Sequence, residues 1–109
     1  VVWAHTGDSV IGASALRGAA REKKQQGLAE EAVERLVRTY HTRASLDPWM
    51  GDQIIPYVAL SRGPSVFSVP RLTRHMKTNM WVVQQFLNVR FFCETREMRT
   101  LVHCTPDER

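Results

Sequence analysis

Residues 29–40 carry the pattern that most limits the fold of this chain. Apolar side chains recur three and four positions apart, with charged side chains between them, at Ala29, Ala32, Val33, Leu36, Val37 and Tyr40. This spacing predicts an amphipathic α-helix that packs one face on the rest of the protein. The preceding residues 21–26 are polar and are predicted as an exposed first turn or a loop, with Gly27 marking a break.

Short strands are predicted before this helix. Residues 1–4 and 10–16 carry β-branched side chains on either side of a turn cluster at residues 6–9, which favours a hairpin. After the helix, Asp47 can cap a second helix with Pro48 at its first position. Pro56 is expected to kink or tighten that helix near its end.

The second half is predicted to alternate strands and one more helix. Residues 65–69 and 71–77 are expected to be strands that meet at Pro70, and residues 61–64 a loop before them. A third helix is expected at residues 79–86, with Thr78 as a possible cap. The remaining predicted segments are a terminal hairpin of residues 89–95 and 100–104, its turn at residues 96–99, and a polar tail at residues 105–109.

Together these segments predict an α+β fold, a small mixed sheet with about three helices packed on one face. The 109 residues, 43% of them hydrophobic, suffice for one domain with a modest core, so we expect a single domain at residues 1–109. The chain begins with an apolar segment and no methionine, which suggests a portion of something longer. Its apolar runs are too short to span a bilayer and no secretory signal is visible, so we expect a cytoplasmic location.

Charge and cysteine content narrow the possible partners. The net charge is +4 with histidines neutral, which would attract RNA or a nucleotide, although solvated helix faces explain many of these basic residues equally well. Cys93 and Cys104 could pair across neighbouring strands. They lack Cys-x-x-Cys spacing, however, and in a cytoplasmic protein we expect free thiols.

Trp49, Asp52 and Gln53 can share one face of the second predicted helix, because they are three and four positions apart. The carboxylate can accept hydrogen bonds from hydroxyls, and the amide can both donate and accept. An indole can stack on a base. The alternatives are that Trp49 packs into the core and that Asp52 pairs with a nearby arginine.

His75 lies near the predicted end of the strand at residues 71–77. A strand end would hold the imidazole stiffly in one direction. At pH 7 a partly neutral imidazole has a nitrogen lone pair that can attack phosphorus. The alternative is a core histidine that is hydrogen-bonded to a carbonyl group.

The Asp52-Gln53 pair and the His75-Met-Lys-Thr-Asn79 segment resemble the carboxy-terminal part of the RNA 3'-terminal phosphate cyclase family. The resemblance extends from residues 12–16 through residues 86–91. It implies that His75 accepts AMP as a covalent nucleophile, that Asp52 and Gln53 hold the ribose and adjoining groups, and that Trp49 stacks on adenine.

The resemblance also implies an ATP-dependent ligase-type enzyme of RNA processing. Such an enzyme converts an RNA 3'-phosphate into a 2',3'-cyclic phosphate through an adenylylated histidine, with Mg²⁺ or Mn²⁺ as the divalent ion. The metal-binding glutamate and the arginines that grip RNA belong to the family's amino-terminal part, so we assign no metal ligand here. We therefore expect this chain to be the carboxy-terminal catalytic portion of a larger protein and to be inactive on its own. The alternatives are a non-catalytic RNA-binding or ribosome-assembly relative and a purely structural module.

Overall fold

The amino-terminal hairpin pairs β1 (Val2–Thr6) with β2 (Ser9–Ala13) in the computed structural model, which describes residues 1–16 and 25–107. The turn contains Gly7 at a φ of 65°, a left-handed conformation that glycine adopts without a steric penalty. The predicted hairpin is confirmed. Its second strand ends at Ala13, which pairs with Val2 at the start of β1, rather than at residue 16 as predicted.

The helix predicted at residues 29–40 is confirmed and is longer at both ends. α1 (Gln25–Thr42) packs on the hairpin, with Ala32 and Thr39 buried. The break predicted at Gly27 is wrong, since this residue lies inside the helix. A helical glycine costs only about 1 kcal/mol relative to alanine, which the packed face downstream can offset. The rest of the predicted exposed turn, residues 21–24, lies outside the described residues.

Asp47 begins the second helix as predicted. One carboxylate oxygen of Asp47 accepts from the backbone N–H of Met50 at 2.9 Å, and Pro48 takes the first position of α2 (Pro48–Gln53). The single predicted helix is divided at Ile54, after which α3 (Ile55–Leu60) begins. Pro56 lies in the first turn of α3, where a missing backbone N–H is tolerated, so it starts a helix instead of kinking one.

The strand predicted at residues 71–77 is wrong. β3 (Ser65–Val69) ends at the expected place, but α4 (Arg74–Phe86) begins five residues before the predicted helix start. Thr73, not Thr78, caps it, because the Thr73 hydroxyl accepts from the backbone N–H of Met76 at 3.2 Å. Met76 and Met80 are both buried and one helical turn apart, and this apolar spacing outweighs the strand-like alternation before it.

The terminal hairpin is confirmed, with longer strands than predicted. β4 (Val89–Arg96) and β5 (Arg99–Pro106) pair from Val89 opposite Pro106 to Arg96 opposite Arg99. The predicted polar tail is partly wrong, because Thr105 and Pro106 belong to β5, where pairing with β4 holds them in extended conformation. Residues 108–109 lie outside the described residues.

The α+β class is confirmed, with one correction to the sheet. The described strands form two antiparallel sheets, β1-β2 and β3-β5-β4, rather than one mixed sheet, and four helices are present in the described residues. Short turns join β1 to β2 and β4 to β5, and such connections produce antiparallel pairs. None of the described helices is both long enough and apolar enough to cross a membrane.

The main core lies between α3, α4 and one face of the three-stranded sheet. Its buried members are Ile55, Phe67, Val69, Met76, Met80 and Val102. α2 joins this core through Gly51, where an added Cβ would lie 2.5 Å from Val69 and 3.3 Å from the Met76 sulfur. Only glycine permits so close an approach, which brings α2 against β3 and the start of α4.

The two cysteines are free thiols, as predicted. On neighbouring strands, Cys93 faces Val102 and Cys104 faces Phe91, so the two sulfur-bearing residues are not cross-strand partners. Burial raises the pKa of both thiols. A raised pKa keeps them protonated at neutral pH, where a thiol is a poor nucleophile.

Candidate functional site

A cleft of about 750 Å³ lies between α1, α2 and the beginning of α4. It brings together three of the four predicted site residues, Trp49, Asp52 and His75; Gln53 lies outside it. Its other lining residues are Glu31, Arg35, Arg38, Thr39 and Thr42 from α1, Pro48 from α2, and Pro70, Arg71 and Thr73 from the segment before α4.

His75 lies in the first turn of α4, and not at the end of a strand as expected. Its side chain is exposed, which argues against the alternative of a core histidine, whereas the adjacent Met76 is completely buried. Met76 therefore anchors the backbone from which the imidazole projects. The first turn of a helix presents backbone N–H groups and positive potential, both of which favour a nearby phosphate.

Trp49 and Asp52 form the α2 wall of the cleft. The Trp49 side chain is 44% exposed, so the core-packing alternative accounts for only part of the indole. Asp52 accepts a hydrogen bond from the Asn79 side-chain amide, rather than pairing with an arginine. This contact joins α2 to α4 and so holds the wall that carries Trp49 against the helix that carries His75.

Asp47 fixes the other end of α2. Besides capping the helix, its second carboxylate oxygen accepts from the backbone N–H of Gly12 in β2 at 2.9 Å. Asp47 is buried. One carboxylate thus connects the amino-terminal hairpin to the helix that supplies Trp49 and Asp52.

The cleft carries excess positive charge on two walls. Arg35 pairs with Glu31 at 2.9 Å and donates to the backbone oxygen of Ser14 at 2.7 Å. Within residues 1–16 and 25–107, no salt bridge involves Arg38 or Arg71. Both are exposed, and although Asp52 also lines the cleft, guanidinium groups outside these salt bridges suit a polyanionic ligand.

Sequence reasoning did not identify Arg71 or Asn79 as site residues. Asn79 occupies a fixed place in the His-x-x-Thr-Asn segment, and that position was the available signal. Arg71 had no such signal, because it approaches the cleft only after the chain turns between β3 and α4. Among the described residues no group of three His, Cys, Asp or Glu side chains could hold a metal ion.

Comparison with known proteins identifies one family. Residues 8–93 match the family described as RNA 3'-terminal phosphate cyclase. The protein named RNA 3'-terminal phosphate cyclase from Pyrobaculum aerophilum is 40% identical over 84% of this chain and 26% of its own length. The protein of the same name from Methanopyrus kandleri is 42% identical over 82% of this chain and 25% of its own length. The one from Methanosarcina barkeri is 43% identical over 80% of this chain and 25% of its own length. The chain spans about a quarter of the length of these relatives.

Proposed function

Since this chain belongs to the RNA 3'-terminal phosphate cyclase family, we propose that it supplies the nucleotide cleft and the nucleophile of an enzyme that cyclises RNA ends. The substrates would be ATP and an RNA with a 3'-phosphate, and the product a 2',3'-cyclic phosphate. The observation that carries this proposal is the cleft in which Trp49, Asp52 and His75 converge.

In the proposed first step, His75 attacks the α-phosphorus of ATP. The lone pair of a ring nitrogen forms the N–P bond while the bond from that phosphorus to the bridging oxygen breaks, and pyrophosphate leaves. The first turn of α4 and the guanidinium groups of Arg38 and Arg71 would stabilise charge on the phosphates. Trp49 would stack on adenine, and Asp52 would accept a hydrogen bond from a ribose hydroxyl.

Two further displacements complete the proposed reaction. An oxygen of the RNA 3'-phosphate attacks the AMP phosphorus, the N–P bond breaks, and His75 is regenerated. The neighbouring 2'-hydroxyl then attacks the RNA phosphorus, releases AMP and gives up its proton as the ring closes. A covalent intermediate divides one difficult transfer into easier displacements.

Gln53 differs from the other three residues in its position. It was expected to help hold the nucleotide, but its side chain is exposed and lies outside the cleft lining. It would contact ATP only at the rim.

Mg²⁺ or Mn²⁺ would accompany ATP and offset negative charge on its phosphates. The described residues of this chain do not fit a protein-built metal site, because they contain no cluster of three ligand side chains. The protein ligands of the ion, and groups that grip the RNA end, would come from a part of the enzyme that precedes this carboxy-terminal portion.

The 109-residue chain alone should therefore not cyclise RNA, because phosphoryl transfer depends mainly on positioning and charge stabilisation. The test incubates the chain, and separately the full-length protein that contains it, with ATP, Mg²⁺ or Mn²⁺ and RNA ending in a 3'-phosphate. We expect cyclic ends from the full-length protein only. RNA binding without adenylylation or cyclisation by the full-length protein would instead indicate a non-catalytic relative.

Replacing Trp49 by alanine should weaken ATP binding by about 5- to 150-fold, the loss expected for one stacking interaction of roughly 1–3 kcal/mol. Isothermal titration of the full-length protein with ATP measures this change. The matched control is Trp3→Ala, which removes an indole that is 64% exposed on β1 and lies outside the cleft. Unchanged affinity in Trp49→Ala, or unfolding with no separable binding effect, would favour core packing as the role of Trp49.

A further inference from the structure

The three-stranded sheet has one face that the helices do not cover. Side chains alternate along a strand, so residues next to the buried core positions point to the opposite side. We call this opposite side the outer sheet face; it includes Val66 of β3, His103 of β5, and Arg90, Phe92, Glu94 and Arg96 of β4. At one end of this face, Ser68 of β3 is buried and hydrogen-bonded to Ser45 of the linker before α2. Val66 and Phe92 are each 58% exposed.

Two rings are in contact on the outer sheet face. Phe92 and His103 are cross-strand partners, with ring centroids 5.2 Å apart and planes inclined by 32°. On the other side of His103, its partner in β3 is Val66. The Glu94 carboxylate lies 3.2 Å from the His103 ring nitrogen and fixes the imidazole in this row. We call this row the platform; its outer end is the exposed ring of Phe92.

Arginines flank the platform along β4. Arg90 and Arg96 lie two and four residues from Phe92 on the same face, and their side chains are 71% and 66% exposed. Their ion pairs are long, 3.8 Å from Arg90 to Asp107 and 3.5 Å from Arg96 to Glu94. Exposed ion pairs of this kind contribute little to stability and are easily exchanged. Each guanidinium also has five N–H donors, so both arginines can still bind a phosphate.

We propose that the outer sheet face binds single-stranded RNA. Bases would stack on Phe92 and His103, while the phosphates between them would contact Arg90 and Arg96. Stacking needs an exposed ring and accepts any base, and arginine complements the charge of the backbone. This surface is separate from the cleft, and its binding requires neither ATP nor a 3'-phosphate, so it goes beyond the proposed catalytic function.

A binding experiment with the full-length protein tests the proposal. The probe is a fluorescent oligoadenylate RNA of about 20 nucleotides, longer than typical single-strand sites of roughly 4–16 nucleotides, with a 3'-hydroxyl end and without ATP. Fluorescence anisotropy should show that Phe92→Ala weakens binding by about 5- to 150-fold. Arg90→Gln should reduce the slope of log affinity against log salt by about one.

Matched controls remove similar groups elsewhere. Tyr57→Ala removes a ring that is 75% exposed on α3, and Arg62→Gln removes an exposed cation in the loop after α3; neither should change RNA affinity. If Phe92→Ala does not fold, Phe92→Tyr and Phe92→Leu replace it, and only the ring-bearing variant should bind like the unmodified protein.

Two results would overturn the proposal. The first is unchanged RNA affinity in a folded Phe92→Ala protein, and the second is equal binding by the tyrosine and leucine variants. Unchanged RNA affinity together with an altered oligomeric state of the full-length protein would show that protein, and not RNA, covers this face. Because the assay contains no ATP, failure here leaves the adenylylation test unaffected.

Discussion

Replacing His75 by asparagine should lower RNA cyclisation by about 10³-fold or more and eliminate the AMP adduct, because loss of a covalent nucleophile removes the pathway that depends on it. Asparagine retains polarity and similar size but has no ring nitrogen that can attack phosphorus. His75 is exposed, so stability should change by no more than about 0.5 kcal/mol. Single-turnover assays of the full-length protein, with and without RNA, measure both losses.

The matched control for this substitution is His5→Asn. His5 is also exposed, but it lies on β1 and does not line the cleft. The His5→Asn protein should retain full cyclisation activity. Retention of the adduct in His75→Asn would exclude His75 as the nucleophile, and an equal loss in both variants would show that the effect is not specific to the cleft.

Replacing Asp47 by alanine should destabilise the fold by about 2–3 kcal/mol, from the lost helix cap and from leaving a second backbone donor without its partner. The donors concerned are the N–H groups of Met50 and Gly12. Because Asp47 joins β2 to α2, the same change should also weaken ATP binding by displacing Trp49. Urea unfolding measures the first effect and titration with ATP the second.

Two further variants make the Asp47 experiment specific. Asp47→Asn keeps one oxygen acceptor and should recover part of the lost stability. Asp8→Ala changes the exposed turn of the β1-β2 hairpin. Its free energy of unfolding should lie within about 0.5 kcal/mol of that of the unmodified protein. An Asp47→Ala protein as stable as Asp8→Ala would contradict the role of Asp47 as the connection between hairpin and helix.

Local chemistry predicted most of the secondary structure. Asp47 with Pro48 predicted a helix start because the cap and the fixed proline φ both act within one helical turn. The β1-β2 turn was also predictable, because it too depends on residues that are adjacent in the sequence. The start of α4 was not predictable from the sequence. Thr73 and Thr78 could each cap a helix, and only the packing of Met76 against β3 and Gly51 makes Thr73 the cap.

The candidate site was predictable only in part. The motifs that carry His75 and Asp52 suggested that these residues share a site, and the cleft brings both together with Trp49. The α1 wall with Arg38 was not predictable as part of the site, since its approach depends on the contacts that join the hairpin to the linker before α2. Those contacts include the hydrogen bond of the Ser9 hydroxyl to the backbone oxygen of Ser45.

We propose that His75 becomes adenylylated within this cleft. The most direct measurement incubates the full-length protein with ATP labelled at the α-phosphate and maps the adduct on proteolytic peptides by mass spectrometry. We predict an acid-labile, base-stable label on His75 that RNA with a 3'-phosphate removes. A label on another residue, such as the neighbouring Lys77, or cyclisation of RNA without any protein adduct would contradict it.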